Sequence, residues 1–149
     1  MRAVIQRVSR ACVRINNEDF SSINEGILVL LGVEKEDTKS DADYILEKTI
    51  NLRIFEDDQD KMNRSLLDIN GEMMVVSQFT LLGNCTKGRR PSFVQAEEPA
   101  KANELYEYFV REGRARIKKL ATGKFQEMMQ VELINNGPVT ILLDSKKKF

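Results

Sequence analysis

The sequence contains no histidine and only two cysteines among its 149 residues. Without histidine, the side chain most used for acid–base catalysis near neutral pH is missing, and Ser-His-Asp and Cys-His nucleophile systems are excluded. Cys12 and Cys85 lie far apart and form no CxxC pair, so a zinc site built on cysteine is not indicated. We interpret both as reduced thiols, with a disulfide as the less favoured alternative. Walker-type and GxGxxG phosphate-binding motifs are also absent.

The chain also lacks net charge and long apolar runs. Its 23 Lys and Arg balance 23 Asp and Glu, which argues against a protein that coats nucleic acid generically. Basic clusters at 87–91, 114–119 and 146–148 are either solvated surface or phosphate-binding patches. No run is long enough to span a membrane, and residues 1–15 alternate charged and apolar side chains, unlike a signal peptide. We expect one cytoplasmic domain over residues 1–149, with no membrane association.

The hydrophobic pattern predicts many strands and two helices. Ala3, Ile5 and Arg7 share one face of an opening strand that is followed by a bulge or hairpin near Ser9, and 16–26 is loop-like. Further strands are predicted at 27–33, 52–55 and 72–83, and a solvated turn, not a metal loop, at 56–61. Strands outnumber helices and do not alternate with them, so the sequence predicts a mainly β (α+β) single domain with an antiparallel, barrel-like sheet.

Both helices are predicted from apolar residues that recur every three or four positions. In the first, the buried stripe is Ala42, Ile45, Leu46, Thr49 and Ile50, with a cap from Thr38 and Asp41 or from Ser40 and Asp43. The second is expected to run from about Pro99 to Leu120 and to end at Thr122-Gly123.

Two stretches depart from this pattern, and such departures are where functional sites are expected. "SQFT" at 77–80 places polar groups within an apolar strand, and "NNGP" at 135–138 separates two apparent strands. Asn136-Gly137 alone would suit a two-residue hairpin turn, but Pro138 removes a backbone donor where the next strand should begin. Taken singly, each stretch has an ordinary explanation, as hydroxyls bonded to nearby backbone or as a turn.

Taken together, the two stretches resemble the signature of the D-aminoacyl-tRNA deacylase family. The similar segments are "SQFTLLG" at 77–83, "KGRRPSF" at 87–93 and "NNGPVT" at 135–140, with further likeness in the opening "MRAVIQRVSRA", in "GILVLLGV" and in "LRIFEDDQDKMNRSL". Three positions depart from the family pattern: Asn136 stands where the family usually has Asp, and Gln126 and Glu127 replace a small residue followed by Asp.

The resemblance implies a homodimer that hydrolyses the ester between a D-amino acid and the terminal ribose of tRNA, without metal or cofactor. It implies that Ser77, Gln78, Phe79 and Thr80 form the catalytic segment. In the family a cis Gly-Pro peptide reaches into the active site of the partner subunit and rejects L-amino acids. The residues that this would involve here are Gly137, Pro138, Asn135 and Arg7. Lys87, Arg89 and Arg90 become candidates for contacting the tRNA.

Two mechanisms remain open at this point. Thr80 could attack the ester as a nucleophile, but the chain offers no histidine to activate its hydroxyl. In the favoured alternative, the 2′-OH of the terminal ribose assists water, and backbone N–H groups near Gln78, Phe79 and Thr80 stabilise the oxyanion. Two other function classes also remain: a non-catalytic RNA-binding module, and an esterase that uses Thr80 on small molecules.

Overall fold

The computed structural model describes all residues, 1–149, and consists mainly of strands with two helices. The helices are α1 (Lys39–Asn51) and α2 (Pro99–Arg114), and a short 3₁₀ turn covers Phe79–Leu82. Neither helix has the length and apolar character needed to cross a bilayer. The strands are β1 (Arg2–Ile15), β2 (Glu18–Ile23), β3 (Gly26–Gly32), β4 (Phe55–Glu56), β5 (Met62–Arg64), β6 (Glu72–Ser77), β7 (Leu120–Thr122) and β8 (Gln130–Asp144).

Six of the strands form one sheet that is nearly closed into a barrel. The long strand β1 pairs antiparallel with β2, β3 and β8, whereas β3–β6 and β6–β7 are parallel pairs. The parallel pairs arise because their connections are long crossovers that contain the two helices. Between β2 and β7, Ser21 Oγ donates to the Thr122 carbonyl at 2.6 Å, which brings the ends of the sheet together. The predicted barrel-like α+β fold is therefore confirmed, but the sheet is not purely antiparallel, since two of its five strand pairs are parallel.

The core lies on both sides of this sheet. A cluster of 21 buried residues fills the space between the sheet and the helices, and a second cluster of seven lies inside the curve of the strands. Helix α1 buries all five residues of its predicted stripe, and its N-terminus is held by the capping box of Thr38 and Asp41. In β1, Ala3, Ile5 and Arg7 are all buried on one face, as their alternation predicts.

Four predicted element boundaries are wrong. The strand expected over 52–55 is only Phe55–Glu56. The strand expected over 72–83 ends at Ser77, where the chain turns so that Leu82 can pack in the core against Gly32. Helix α2 ends at Arg114, not Leu120, because Leu120 folds back onto Gly113 as part of β7. Residues 16–26 include strand β2; Asn16 and Asn17, both at positive φ, make the tight turn that leads into it.

The hairpin suggested by "INNGPVT" is also wrong, because both flanking segments belong to β8 and pair with the same strand. Thr140 pairs with Gln6 and Asn135 pairs with Val8, so Arg7 alone faces the four residues 136–139. The segment 136–139 therefore bulges out of one long strand, and we call it the Gly-Pro bulge. A smaller shift, in which Val8 and Arg10 pair with Asn135 and Ile134, confirms the bulge predicted near Ser9.

Candidate functional site

The "SQFT" segment forms a sharp corner between β6 and the 3₁₀ turn. The corner is anchored at one end by the Gln78 N–H, which donates to the Leu31 carbonyl at 2.8 Å, and at the other by Leu82, which is 2% exposed. Between these anchors the backbone is fixed, while the side chains of Phe79 and Thr80 are exposed. The core therefore holds an exposed piece of backbone in one conformation.

The corner presents unpaired hydrogen-bond donors. Within the 3₁₀ turn, the Leu81 N–H is the first that forms a hydrogen bond. It donates to the Gln78 carbonyl at 3.2 Å. The N–H groups of Phe79 and Thr80 precede it, so they have no acceptor within the turn. Two adjacent free N–H groups on a fixed backbone can stabilise a negative oxygen that forms during a reaction.

The Thr80 hydroxyl makes no hydrogen bond to a base. Its partner is the side-chain amide of Gln78, whose Nε2 donates to Thr80 Oγ1. Glu97, on the wall of the same groove, accepts hydrogen bonds from Lys101 and from the Glu98 backbone, and these hold the pKa of its carboxyl below the usual range. A carboxylate with a lowered pKa is a weak proton acceptor, so this group does not suit activation of the hydroxyl.

A groove of about 810 Å³ opens beside the corner. One wall is the 77–80 segment with Phe93, whose ring meets that of Phe79 edge to face at 5.1 Å between centroids. Further lining residues come from the start of α2 and from residues 125–129, which include Gln126 and Glu127. An apolar groove with polar groups at one edge is the usual form of a small-ligand site.

The Gly-Pro bulge is held by Arg7 and Asn135. Arg7 is only 4% exposed, and its Nε donates to the Asn136 carbonyl at 2.8 Å. Asn135 Oδ1 accepts from the Val139 N–H at 2.9 Å, closing the base of the bulge. The Gly137–Pro138 peptide bond is cis, and Gly137 has a φ of +140°. Because Arg7 contacts the backbone at 136, the Asn found there in place of Asp does not alter this contact.

The two halves of the predicted site lie apart within one chain. The structure brings Arg7 together with Asn135, Gly137 and Pro138, and separately brings Ser77, Gln78, Phe79 and Thr80 to the groove. No residue of 134–139 lines that groove. Sequence reasoning missed the other partners of Arg7, which are the Ile54 carbonyl and the Glu56 carboxylate.

The predicted basic residues Lys87, Arg89 and Arg90 lie on an exposed loop next to the groove. The loop is closed by backbone hydrogen bonds between Asn84 and Ser92, at 2.8 and 3.0 Å, and Ser92 is followed by the groove residue Phe93. None of the three cations forms an ion pair within the chain, unlike Arg10 and Arg14, which pair with Glu132. They are therefore available to an external anion.

Comparison with known proteins identifies one matching family model and several similar proteins. Residues 4–144 match the family model described as D-Tyr-tRNA(Tyr) deacylase. Proteins named D-aminoacyl-tRNA deacylase from Syntrophus aciditrophicus and Clostridioides difficile are 60% and 56% identical over 149 residues, with full coverage of both chains.

Two solved structures are also similar. One, titled c-Myc DNA Unwinding Element Binding Protein, shares 41% identity at a TM-score of 0.92, covering 97% of this chain and 98% of its own. The other, a probable eukaryotic D-amino acid tRNA deacylase, has a TM-score of 0.80 at 16% identity, covering 95% and 97%, and supports the fold alone.

Proposed function

The chain belongs to the D-Tyr-tRNA(Tyr) deacylase family, and on that basis we propose that it hydrolyses the ester bond of D-aminoacyl-tRNA. The products are free D-amino acid and tRNA, so the reaction removes D-residues before translation uses them in the cytoplasm. We extend the proposal to glycyl-tRNA as a substrate and to L-aminoacyl-tRNA as a rejected one. The observation that carries it is the pair of free N–H groups at Phe79 and Thr80, fixed beside a groove of about 810 Å³.

In the proposed reaction, the corner acts on the ester carbonyl. Water adds to the carbonyl carbon, and the N–H groups of Phe79 and Thr80 donate to the oxygen that becomes negative. The ribose 2′-OH next to the ester orients the water and relays its proton, because the chain supplies no histidine for this role. The tetrahedral intermediate then collapses, the bond to the ribose 3′-oxygen breaks, and that oxygen takes up the proton.

The Gly-Pro bulge enters the proposal through a dimer. Within one chain the bulge does not reach the groove, but a two-fold interface would place each bulge at the partner's groove, giving two equivalent sites. Exposed apolar side chains on β8, Ile134 at 60% and Leu142 at 56%, support an interface along this strand. Each proposed active site therefore requires both subunits of the homodimer.

The Gly-Pro bulge then selects D- over L-amino acids by excluding the L side chain. A rigid backbone that contacts the α-amino group fixes the α-carbon, so D and L side chains point in opposite directions. Crowding on the L side rejects every L-residue without any pocket for a particular side chain. The firm hold of Arg7 on the bulge supports this role, since exclusion requires a wall that does not move.

The tRNA is proposed to approach over the basic loop. Lys87, Arg89 and Arg90 have no intrachain partners and lie next to the groove wall, so they suit the phosphates near the 3′ end of tRNA. Their three positive charges form a local basic patch, although the chain as a whole has no net charge.

Incubation of the purified protein with D-tyrosyl-tRNA tests the proposed function directly. We expect release of free D-tyrosine with multiple turnovers, and no cleavage of simple esters that lack tRNA. Tight binding of the tRNA without ester cleavage would instead favour the RNA-binding module. Cleavage of simple esters would favour the small-molecule esterase.

Gly137→Ala should impair deacylation of D-aminoacyl-tRNA. A Cβ at Gly137 would lie 2.7 Å from Val139 Cγ2 and 3.0 Å from Arg7 Nη2, and a φ of +140° is unfavourable for any residue but glycine. The bulge must shift, and a displacement of about 1 Å can lower the rate by up to ~10²-fold. Single-turnover kinetics would measure the loss, and Asp58→Ala, an exposed side chain outside the bulge, the groove and the basic loop, is the control.

Mixing two inactive variants tests whether the bulge acts in the partner's site. Phe79→Pro removes an oxyanion donor from the corner and Gly137→Ala damages the bulge, so a heterodimer would contain one intact site. Random exchange of equal amounts should restore about a quarter of wild-type activity, since half of the dimers are mixed and each has one good site. No recovery, with subunit exchange verified, would mean that each site is built within one chain.

A further inference from the structure

Arg7 makes more contacts than its hold on the Gly-Pro bulge requires. Its Nε donates to the Asn136 carbonyl at 2.8 Å, while Nη1 donates to the Ile54 carbonyl at 2.6 Å and to Glu56 Oε1 at 3.2 Å. Three of its five N–H groups thus donate hydrogen bonds within the chain. The remaining nitrogen, Nη2, lies against Gly137, where an added Cβ would be 3.0 Å away.

Two of the three acceptors come from an element outside the main sheet. Ile54 directly precedes β4, and Glu56 ends it; β4 pairs only with β5, in a separate hairpin. Ile54 and Phe55 are 6% and 5% exposed and belong to the large core cluster, so the hairpin base is anchored. The hairpin therefore presents two acceptors to the guanidinium, the carbonyl of buried Ile54 and the half-exposed carboxylate of Glu56.

These contacts constrain the guanidinium as a plane. An arginine side chain is flexible, but its donors form a rigid fork, so acceptors at one end set the direction of the donor at the other. The Ile54 carbonyl alone holds this end of the fork by one hydrogen bond. A second acceptor on the same nitrogen, from Glu56, engages its other N–H and further restrains the plane that directs the Nε–H toward Asn136.

We propose that Glu56 is a positioning residue for substrate selection: its carboxylate orients Arg7, which in turn fixes the Gly-Pro bulge. The proposal rests on the proposed function, in which the bulge excludes L-residues. Glu56 itself touches no substrate. Its side chain is 51% exposed, so its ion pair with Arg7 adds little to folding stability. The effect of removing it should therefore fall on selectivity and not on stability.

The test compares three variants on the same hairpin. Glu56→Ala removes the acceptor, Glu56→Gln keeps an amide oxygen that can accept the same hydrogen bond, and Asp58→Ala removes a neighbouring carboxylate that takes no part in the contacts of Arg7. For each, deacylation of D-alanyl- and L-alanyl-tRNA is measured together with the midpoint of thermal unfolding.

We expect Glu56→Ala to lower the ratio of D-alanyl to L-alanyl cleavage by roughly tenfold, since one good positional hydrogen bond accounts for a change of this order. Glu56→Gln should recover most of the ratio, Asp58→Ala should match wild type, and all unfolding midpoints should agree. A wild-type ratio in Glu56→Ala overturns the proposal, and so does a Glu56→Gln variant as unselective as Glu56→Ala.

A spectroscopic readout separates this proposal from the proposed function. The Arg7 Nε–H signal, assigned in a ¹⁵N spectrum by its loss in Arg7→Lys, should exchange slowly with water in wild type. It should exchange much faster in Glu56→Ala and slowly again in Glu56→Gln. If wild type cleaves no D-aminoacyl-tRNA, the proposed function fails, yet these exchange rates still decide whether Glu56 orients Arg7. Equal rates in wild type and Glu56→Ala overturn that role.

Discussion

A D-aminoacyl-tRNA that ends in 2′-deoxyadenosine, with the amino acid on its 3′-oxygen, should react on the order of 10²–10⁴-fold more slowly than the normal substrate, the range typical of a lost acid–base group. The reason is the absence of histidine from the chain and of a base hydrogen-bonded to the Thr80 hydroxyl, whose neighbour is the Gln78 amide. The ribose hydroxyl must then assist the water. Single-turnover hydrolysis of both substrates, corrected for their spontaneous rates, measures the difference.

The same assay distinguishes the competing nucleophile mechanism. If Thr80 attacked the ester, the 2′-deoxy substrate would form a covalent intermediate and react at a comparable rate. Equal single-turnover rates for the two substrates would therefore contradict assistance by the 2′-OH. Binding of the deoxy substrate, measured by competition, should be nearly unchanged, because one hydroxyl makes a small part of the contact with tRNA.

Phe79→Pro should lower the deacylation rate by about 10²–10³-fold, the usual effect of removing one oxyanion donor. Proline deletes the backbone N–H and suits the first position of a helical turn, and Gln78 before it is not helical (φ −144°, ψ 81°), so the corner keeps its shape. The matched control is Phe79→Ala, which removes the ring and keeps the N–H. Thr80→Ala, which removes the hydroxyl and keeps every N–H, should retain substantial activity. If Thr80→Ala loses as much as Phe79→Pro, the hydroxyl and not the backbone carries the reaction.

Much of the fold could be predicted from periodicity alone. The stripe of α1 was expected, and its cap is Thr38–Asp41, one of the two pairs that the sequence predicts, because local spacing determines both features. The end of α2 was not, because Leu120 continues the helical spacing but packs on Gly113 from a strand. Strand β2 was missed because its exposed polar residues carry no apolar alternation, although Asn16-Asn17 signals the turn before it.

The candidate site was predictable in its residues but not in its arrangement. "SQFT" and "NNGP" stand out because each breaks a local pattern, and family resemblance relates them. Their separation within one chain depends on the pairing of β8 with β1, in which Arg7 faces the whole bulge. Glu56 could not be found from sequence, since it is 49 positions from Arg7 and begins a stretch that the sequence predicts to be a solvated turn.

The most direct test of the account is deacylation of D-alanyl-, glycyl- and L-alanyl-tRNA by the wild-type protein under identical conditions. Glycine has no side chain to meet the wall, so exclusion predicts that D-alanyl- and glycyl-tRNA are both cleaved and L-alanyl-tRNA is largely spared. The ratio of glycyl to L-alanyl cleavage should exceed about 200-fold, the upper limit for one methyl group in an apolar pocket. The reason is that a backbone restrained by Arg7 relaxes less around an extra methyl group than an apolar pocket does. Resistance of glycyl-tRNA equal to that of L-alanyl-tRNA would contradict the account, since the site would then have to bind the D side chain itself.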